Sequence, residues 1–259
     1  MTETYFFHSD IIGKEIHFFE NYVSTWILER KIGEMNDQLT ALNYEEFQKA
    51  SGAYGTFICS QRNNRNNVAI IKIFLQVPYQ GSEHAIHAER ARQATQTLPM
   101  AGQEQLDALR ILTANHCVST PTLLSQKIEQ QSQDSPLVPG GFAVYLLIEH
   151  AQGIQLTEAI FWAFKRQERD RVREAVKSAW EKAAAAGIAI NPGTLENIFY
   201  DPVTQSAILT GFEGSEKVLN SRRTWNNKLW VSWDLVVEGP GFSFNFFDDS
   251  EPDMSSCKF

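Results

Sequence analysis

The chain has 259 residues, of which 43% are hydrophobic and 12% aromatic. This length and composition can bury a sizeable core, which argues against a disordered chain. The formal net charge of -8 argues against a polyanion-binding surface, because nucleic acids and anionic membranes attract positive fields.

The first residues, MTETYFFHSDIIGKE, contain acidic side chains and no apolar run as long as a signal peptide or a membrane span requires. We therefore expect a cytoplasmic protein that binds neither a membrane nor nucleic acid. The cysteines, Cys59, Cys117 and Cys257, are odd in number and widely spaced, which indicates neither a disulfide framework nor a zinc site.

Residues 1–44 are predicted to form a helical extension. Between residues 18 and 39 apolar side chains recur at intervals of three and four, which is the spacing of an amphipathic helix. The residues that make this pattern are Phe19, Tyr22, Val23, Trp26 and Ile27.

From residue 54 onward the chain alternates between predicted strands and helices. The runs YGTFICSQ and VAIIKIFLQV, separated by the turn-forming RNNRNN, predict a hairpin. A helix over residues 82–98 follows, with Ser82 as its N-cap. The remaining predicted elements are strands at 120–128 and 141–149, one or two helices within 157–186, and a short hairpin at 198–210.

Four segments carry patterns associated with a known chemistry. ASGAYGTF contains Gly52 and Gly55 in a pattern close to GxGxxGxV, and VAIIK ends at Lys72. GIAINPGTLENIFYD spans residues 187–201, and AILTGFEG spans residues 207–214. Together these segments resemble the motifs of the protein-kinase-like fold, in the broad sense that includes the aminoglycoside and choline kinases.

The resemblance covers residues 45–213 and implies an α+β fold with two lobes. An N-terminal lobe built on an antiparallel β-sheet is expected over residues 45–150, and a shortened, mainly helical C-terminal lobe over residues 151–259. The cleft between two such lobes is a favoured place for a ligand.

The same resemblance assigns roles to residues of the N-terminal part. Gly52 and Gly55 stand where the backbone approaches a nucleotide phosphate, and Lys72 stands where a lysine contacts it. Glu89 takes the place of the carboxylate that pairs with this lysine, and Glu83 is the alternative partner. A lysine on an apolar strand face is costly unless it is paired, so we expect the ion pair; otherwise Lys72 reaches solvent from an edge strand.

Residues that the family uses in its chemistry are replaced at three positions. Counting back from Asn197, Ile190 and Pro192 occupy the positions of the catalytic-loop histidine and aspartate. Gly211 occupies the position of the metal-binding aspartate. Because neither proline nor glycine can accept a proton or bind a metal, we predict a degenerate, pseudokinase-type member without phosphotransfer, metal or cofactor.

The first candidate function is a protein that binds a small apolar organic molecule between the lobes. As a metal-independent cyclase or isomerase of secondary metabolism, including a Diels–Alderase-like activity, it would hold a flexible substrate in a reactive conformation. Lys72 and Asn197 would be the catalytic residues, because they could polarise a carbonyl. The residues expected to line this pocket are Tyr54, Glu149, Phe212 and Glu213.

Two other functions remain open. One is an inactive pseudokinase that binds a nucleotide or a protein partner. The other is residual phosphotransfer to a small molecule, with a cation held by Glu196 and Glu213. The aromatic residues of the tail suit a core or a pocket lid, which favours the first function; they are Trp225, Trp230, Trp233, Phe242, Phe244, Phe246 and Phe247.

Overall fold

The computed structural model describes residues 5–20, 23–218, 224–244 and 250–259. The chain divides into two compact units. Unit 1 contains Met1–Leu106 and Leu123–His150, and unit 2 contains Asp107–Thr122 and Ala151–Phe259. The lobe ranges expected from the sequence remain a prediction.

Unit 1 is built around a six-stranded antiparallel sheet with the order β1-β2-β3-β4-β6-β5. Its strands are β1 (Glu15–Phe18), β2 (Ser24–Asp37), β3 (Ser51–Gln61), β4 (Asn64–Val77), β5 (Leu123–Gln130) and β6 (Phe142–Glu149). The predicted hairpin forms β3 and β4, and the two strands predicted after it form β5 and β6. The prediction of an antiparallel sheet within a mixed α and β chain is therefore confirmed.

One buried cluster of unit 1 lies on one face of this sheet. Alternate side chains of β2, β3 and β4 reach it, as expected for the two-residue period of a strand. The almost fully buried members are Trp26, Leu28, Phe57, Cys59, Ala69, Ile71 and Ile73. The sheet curls so that its two outer strands, β1 and β5, are in contact. At this contact Ser125 Oγ donates to the carbonyl oxygen of Glu20, 3.4 Å away.

The amphipathic helix predicted within residues 18–39 is wrong, because this segment contains the 14-residue strand β2. Trp26 pairs with Ile16 of β1 on one side and with Gln61 of β3 on the other. This two-sided pairing overrides the local spacing of apolar residues. The first part of the chain therefore supplies strands and not a helical extension; Tyr22 lies outside the described residues.

Three helices accompany the sheet strands along the chain: α1 (Ala41–Phe47), α2 (His87–Ala91) and α3 (Met100–Ala114). Only α2 falls within the helix predicted over residues 82–98, and that prediction is wrong for most of its length. Ser82 is not an N-cap, because its Oγ donates to the Tyr79 carbonyl at 2.8 Å and accepts from Gln93 Nε2 at 3.0 Å. These side-chain bonds hold the segment in turns.

Unit 2 combines helices with two small antiparallel sheets. Its helices are α4 (Glu158–Ala163), α5 (Arg166–Ala185) and α6 (Lys228–Ser232). The strands β7 (Ile154–Gln155), β9 (Ile198–Asp201) and β10 (Ser206–Leu209) form one sheet, and β8 (Ile188–Ala189) pairs with β11 (Glu216–Lys217) in the other. The helical stretch expected as one or two helices is two, and the predicted short hairpin is β9 and β10.

Helix α5 supplies much of the core of unit 2. Its buried residues recur at helical spacing and include Val172, Val176, Ala179 and Ala183. This face packs on β10. Helix α4 is separate because the backbone is extended at Phe164 and Lys165. Among the helices that the structure describes, none is both long and apolar enough to cross a membrane.

Candidate functional site

Lys72 lies in the middle of β4, where it pairs with Thr56 of β3 and Leu146 of β6. Its side chain is half-buried, and its Nζ donates to Gln105 Oε1 at 2.7 Å. Gln105 belongs to α3 and is only 5% exposed. The structure therefore gives Lys72 a neutral amide as a hydrogen-bond acceptor, on a helix that the sequence did not predict.

Helix α3 approaches the sheet closely at Gly102. A Cβ at this position would lie 2.9 Å from Cε1 of Tyr54. Tyr54 is 5% exposed and packs edge-on against Phe74, with the ring centroids 5.1 Å apart. Gly102 and Gln105 are three residues apart and so share one face of the helix. The absence of a side chain at Gly102 thus lets α3 bring Gln105 to Lys72.

Gly52 and Gly55 both lie inside β3, where they pair with Gln76 and Ile73 of β4. A Cβ on Gly52 would lie 2.7 Å from Tyr54 Oη, and one on Gly55 would meet Phe57 and Phe7. Each glycine makes room for aromatic rings. Their role in binding a phosphate is a prediction that the structure does not address.

The two acidic residues considered as partners of Lys72 have different surroundings. Glu89 is exposed on the five-residue helix α2. Glu83 accepts from Gln38 Nε2 at 2.7 Å through Oε1 and from the Gly81 backbone N–H at 2.8 Å through Oε2. The ion pair between Lys72 and Glu89 remains a prediction.

Asn197 closes the loop that precedes β9. Its Oδ1 accepts from the Thr194 backbone N–H at 3.1 Å, as part of a reciprocal capping box around a short 3-10 turn. The Asn197 carbonyl oxygen accepts from the Thr210 N–H at 2.8 Å. Ile190 is 2% exposed and its carbonyl accepts from Trp180 Nε1 at 2.8 Å. The loop is therefore held by its own residues and by α5.

Gly211 directly follows β10 and lies against Asn197. Its φ is +79°, in the left-handed region that favours glycine. A Cβ built on Gly211 would lie 2.6 Å from Asn197 Nδ2. Gly211 and Asn197 are thus neighbours in space, and a Cβ at position 211 would require the Asn197 amide to shift.

The remaining predicted pocket residues differ in exposure. Phe212 is 2% exposed, whereas Glu213 and Glu149 are exposed. The pKa of Glu196 is lowered by hydrogen bonds from the Thr194 side chain and from the Glu196 backbone N–H. Within the described ranges, no group of three or more His, Cys, Asp or Glu side chains is arranged to hold a metal ion.

Sequence reasoning missed Gln105 and Gly102, because it missed α3. The signal was present: Leu106, Leu109 and Leu112 recur every three residues and are almost fully buried. The predicted helix ended at residue 98, immediately before Pro99, whereas α3 begins at Met100.

The sequence matches no family model and no curated protein. Among solved structures it is similar to PK-1, the kinase of the Cydia pomonella granulovirus, with a TM-score of 0.43 and 10% sequence identity. The match covers 74% of this chain and 53% of the viral kinase, so the chain spans about half the length of that structure. At this identity and TM-score the similarity carries no information about activity.

Proposed function

We propose that this chain is a degenerate kinase-like protein that does not transfer phosphate and binds a small apolar organic molecule instead. The observation that carries the proposal is the contact between Gly211 and Asn197. A Cβ at Gly211 would come within 2.6 Å of Asn197 Nδ2, so the Asn197 amide occupies the space beside the position where kinases carry a metal-binding carboxylate.

Phosphoryl transfer requires charge neutralisation, which kinases obtain from metal ions held by carboxylates. Neither Gly211 nor Pro192 offers such a group. The Asn197 side-chain oxygen is engaged by the Thr194 N–H. The residues at the three positions are therefore suited to holding the loop in shape, which supports the loss of phosphotransfer.

Lys72 supports the second half of the proposal. Gln105 fixes the position of the ammonium through a 2.7 Å hydrogen bond that adds no negative charge. A positioned cation can polarise a carbonyl and stabilise charge that develops on it. This chemistry suits a cofactor-independent cyclisation, isomerisation or cycloaddition, in which the protein contributes orientation and electrostatics.

The loss of phosphotransfer is tested by ATP turnover in the presence of magnesium, with the wild type and Glu213→Gln compared. We expect no turnover above buffer in either protein. Turnover in the wild type that disappears in Glu213→Gln would overturn the proposal and support residual phosphotransfer through a displaced cation.

Ligand binding is tested by native mass spectrometry of the purified protein. We expect a co-purifying organic molecule in the wild type that is lost in Lys72→Met. Lys127→Met is the matched control, because Lys127 is a partly exposed lysine in β5 of the same sheet. Equal loss in both variants would contradict a specific role of Lys72.

A thermal-shift series with ATP or ADP, each with and without magnesium, distinguishes the proposed function from the alternative, a nucleotide-binding module. A ligand that binds only the folded state raises the melting temperature. We expect no shift with either nucleotide. A shift that does not depend on magnesium would replace the proposed function with that of a nucleotide-binding pseudokinase.

A further inference from the structure

Three buried glutamine side chains lie among the loops of unit 1: Gln76, Gln93 and Gln131. Gln76 belongs to β4, and the other two lie in loops. Each of the three amides donates through its nitrogen and accepts through its oxygen. Because a buried amide without partners is costly, these bonds fix the side chains in place. The loops that they join, here called the first, second and third loop, are residues 78–82, 92–97 and 131–141.

Gln93 joins the second loop to the first. Its Oε1 accepts from the Tyr79 backbone N–H at 3.1 Å, and its Nε2 donates to Ser82 Oγ at 3.0 Å. The Ser82 side chain is buried, and its Oγ donates in turn to the Tyr79 carbonyl at 2.8 Å. The backbone of the first loop is thus held by a side chain of the second.

Gln76 joins the second loop to β4 and is only 1% exposed. Its Nε2 donates to the Gln93 carbonyl at 2.6 Å, and its Oε1 accepts from the Thr95 N–H at 3.0 Å. These two partners determine the orientation of the amide, because a reversed amide would bring nitrogen to the N–H and oxygen to the carbonyl. A Cβ at Gly141 would lie 2.6 Å from Gln76 Oε1, so the third loop packs directly against this amide.

Gln131 joins the third loop to the sheet. Its Nε2 donates to the Gln76 carbonyl at 2.7 Å and to the Phe142 carbonyl at 3.2 Å. Its Oε1 accepts from Ser135 Oγ at 2.7 Å, and this hydroxyl accepts from the Leu137 N–H at 3.2 Å. The third loop is therefore bonded to Gln76, the residue that also holds the second loop.

We propose that the three loops form one cooperative unit, which opens and closes as a whole and whose parts are joined by Gln76. Opening one loop alone breaks a hydrogen bond whose other partner stays buried, and a buried polar group without a partner is costly. Opening the three loops together avoids this cost, because water then reaches all of these groups. Local openings of proteins commonly occur in such contiguous units.

The unit borders the sheet face that carries Lys72. The side chains of Lys72, Phe74 and Gln76 alternate along β4 and therefore share one face. The pairing of β4 with β6 ends at Leu75 and Ala143, before Gln76, so the loops can open without breaking this ladder. The inference concerns a conformational change and does not depend on the proposed function.

The test is native-state hydrogen exchange followed by NMR, because each loop contains a backbone N–H bonded to one of these buried side chains: Tyr79, Thr95 and Leu137. After correction for intrinsic rates, we expect these three amides to share one opening constant, larger than that of Ile71 in the middle of β4. Gln76→Met keeps the length of the side chain and removes the amide. In this variant all three amides should exchange about tenfold faster or more, and by the same factor.

Gln96→Met is the matched control. Gln96 is an exposed residue of the second loop, and its Nε2 donates to the Gly140 carbonyl of the third loop at 2.9 Å. Because this bond is exposed, its loss should change the three exchange rates by about twofold at most. Equal acceleration in Gln76→Met and Gln96→Met would overturn the proposal.

Ser135→Ala provides a second test, which decides should Gln76→Met fail to fold. The Ser135 hydroxyl bonds only Gln131 and Leu137 in this network, both within the third loop. A cooperative unit nevertheless predicts faster exchange at Tyr79, in the first loop. Acceleration confined to Leu137 in Ser135→Ala would show that the loops open separately and would overturn the proposal.

Discussion

A backbone φ of +79° at Gly211 and the proximity of Asn197 are two separate obstacles to a side chain at this position. The first is a property of the backbone, and any residue with a Cβ meets it. The second is local packing against Nδ2 of the asparagine. The contributions of backbone conformation and of packing to stability can be measured separately.

We expect Gly211→Ala to lower the free energy of unfolding by more than Gly241→Ala does. Gly241 has φ +77°, and a Cβ added there would meet no neighbouring atom within 4 Å, so it reports the backbone effect alone. That effect is about 1 kcal/mol in both variants, and overpacking adds about 1–3 kcal/mol at Gly211. Urea unfolding measures the free energy of unfolding of both variants. Equal decreases would show that the Asn197 side chain moves aside without an energetic cost.

Helix α3 packs closely against Tyr54 of β3, and the lack of a side chain at Gly102 permits this approach. Alanine is the better helix former by up to about 1 kcal/mol, but its Cβ would lie 2.9 Å from Tyr54 Cε1. The Tyr54 ring cannot move aside easily, because Phe74 and the backbone at Gly52 confine it. Overpacking of about 1–3 kcal/mol therefore exceeds the gain in propensity.

Gly102→Ala should consequently destabilise the protein by about 1 kcal/mol in urea unfolding, despite its higher propensity. In a Tyr54→Leu background the same substitution should become neutral or stabilising, since the ring is gone. A double-mutant cycle with no coupling between the two positions would contradict this account.

The elements that the sequence predicted correctly are those defined by local signals. The turn-forming cluster between β3 and β4 acts within a few residues. By contrast, β2 is a strand because of its neighbours β1 and β3, which contribute pairing that no local window contains. Most of the segment after Ser82 is not helical, and there the buried Gln76 side chain bonds the backbone: it donates to the Gln93 carbonyl and accepts from the Thr95 N–H.

The candidate site could likewise be predicted from the sequence only in part. The proximity of Gly211 and Asn197 agrees with motif spacing, because β9 and β10 form a local hairpin. The acceptor of Lys72 was not predictable, because Gln105 lies 33 residues away on a helix whose position depends on packing. The lack of a side chain at Gly102 has meaning only once Tyr54 is placed beneath it.

For the whole molecule, alkaline pH should lower stability. Burial has the largest effect on the Cys59 thiol and raises its pKa from 9.0 to about 12. Burial likewise raises the pKa of Tyr145 from 10.0 to about 12. Both groups keep their protons in the folded state at a pH where the unfolded chain has lost them. The stability they contribute is complete below pH 9 and is lost as pH rises toward 12.

Urea unfolding between pH 8 and pH 12 should therefore show a falling free energy of unfolding, with a slope of about 1.4 kcal/mol per pH unit for each such group. Cys59→Val removes the thiol, and its slope just above pH 9 should be smaller. A slope identical to that of the wild type would mean that the thiol does not contribute.

The contact between β1 and β5 has a consequence for association between chains. The outer strands of an open sheet offer backbone groups that can recruit a strand from another molecule, which is a common start of aggregation. Here the chain after β1 meets β5 through Ser125 and Glu20, so the two margins of the sheet shield each other. Separating them, and not merely loosening the core, would create the surface on which this protein could begin to polymerise.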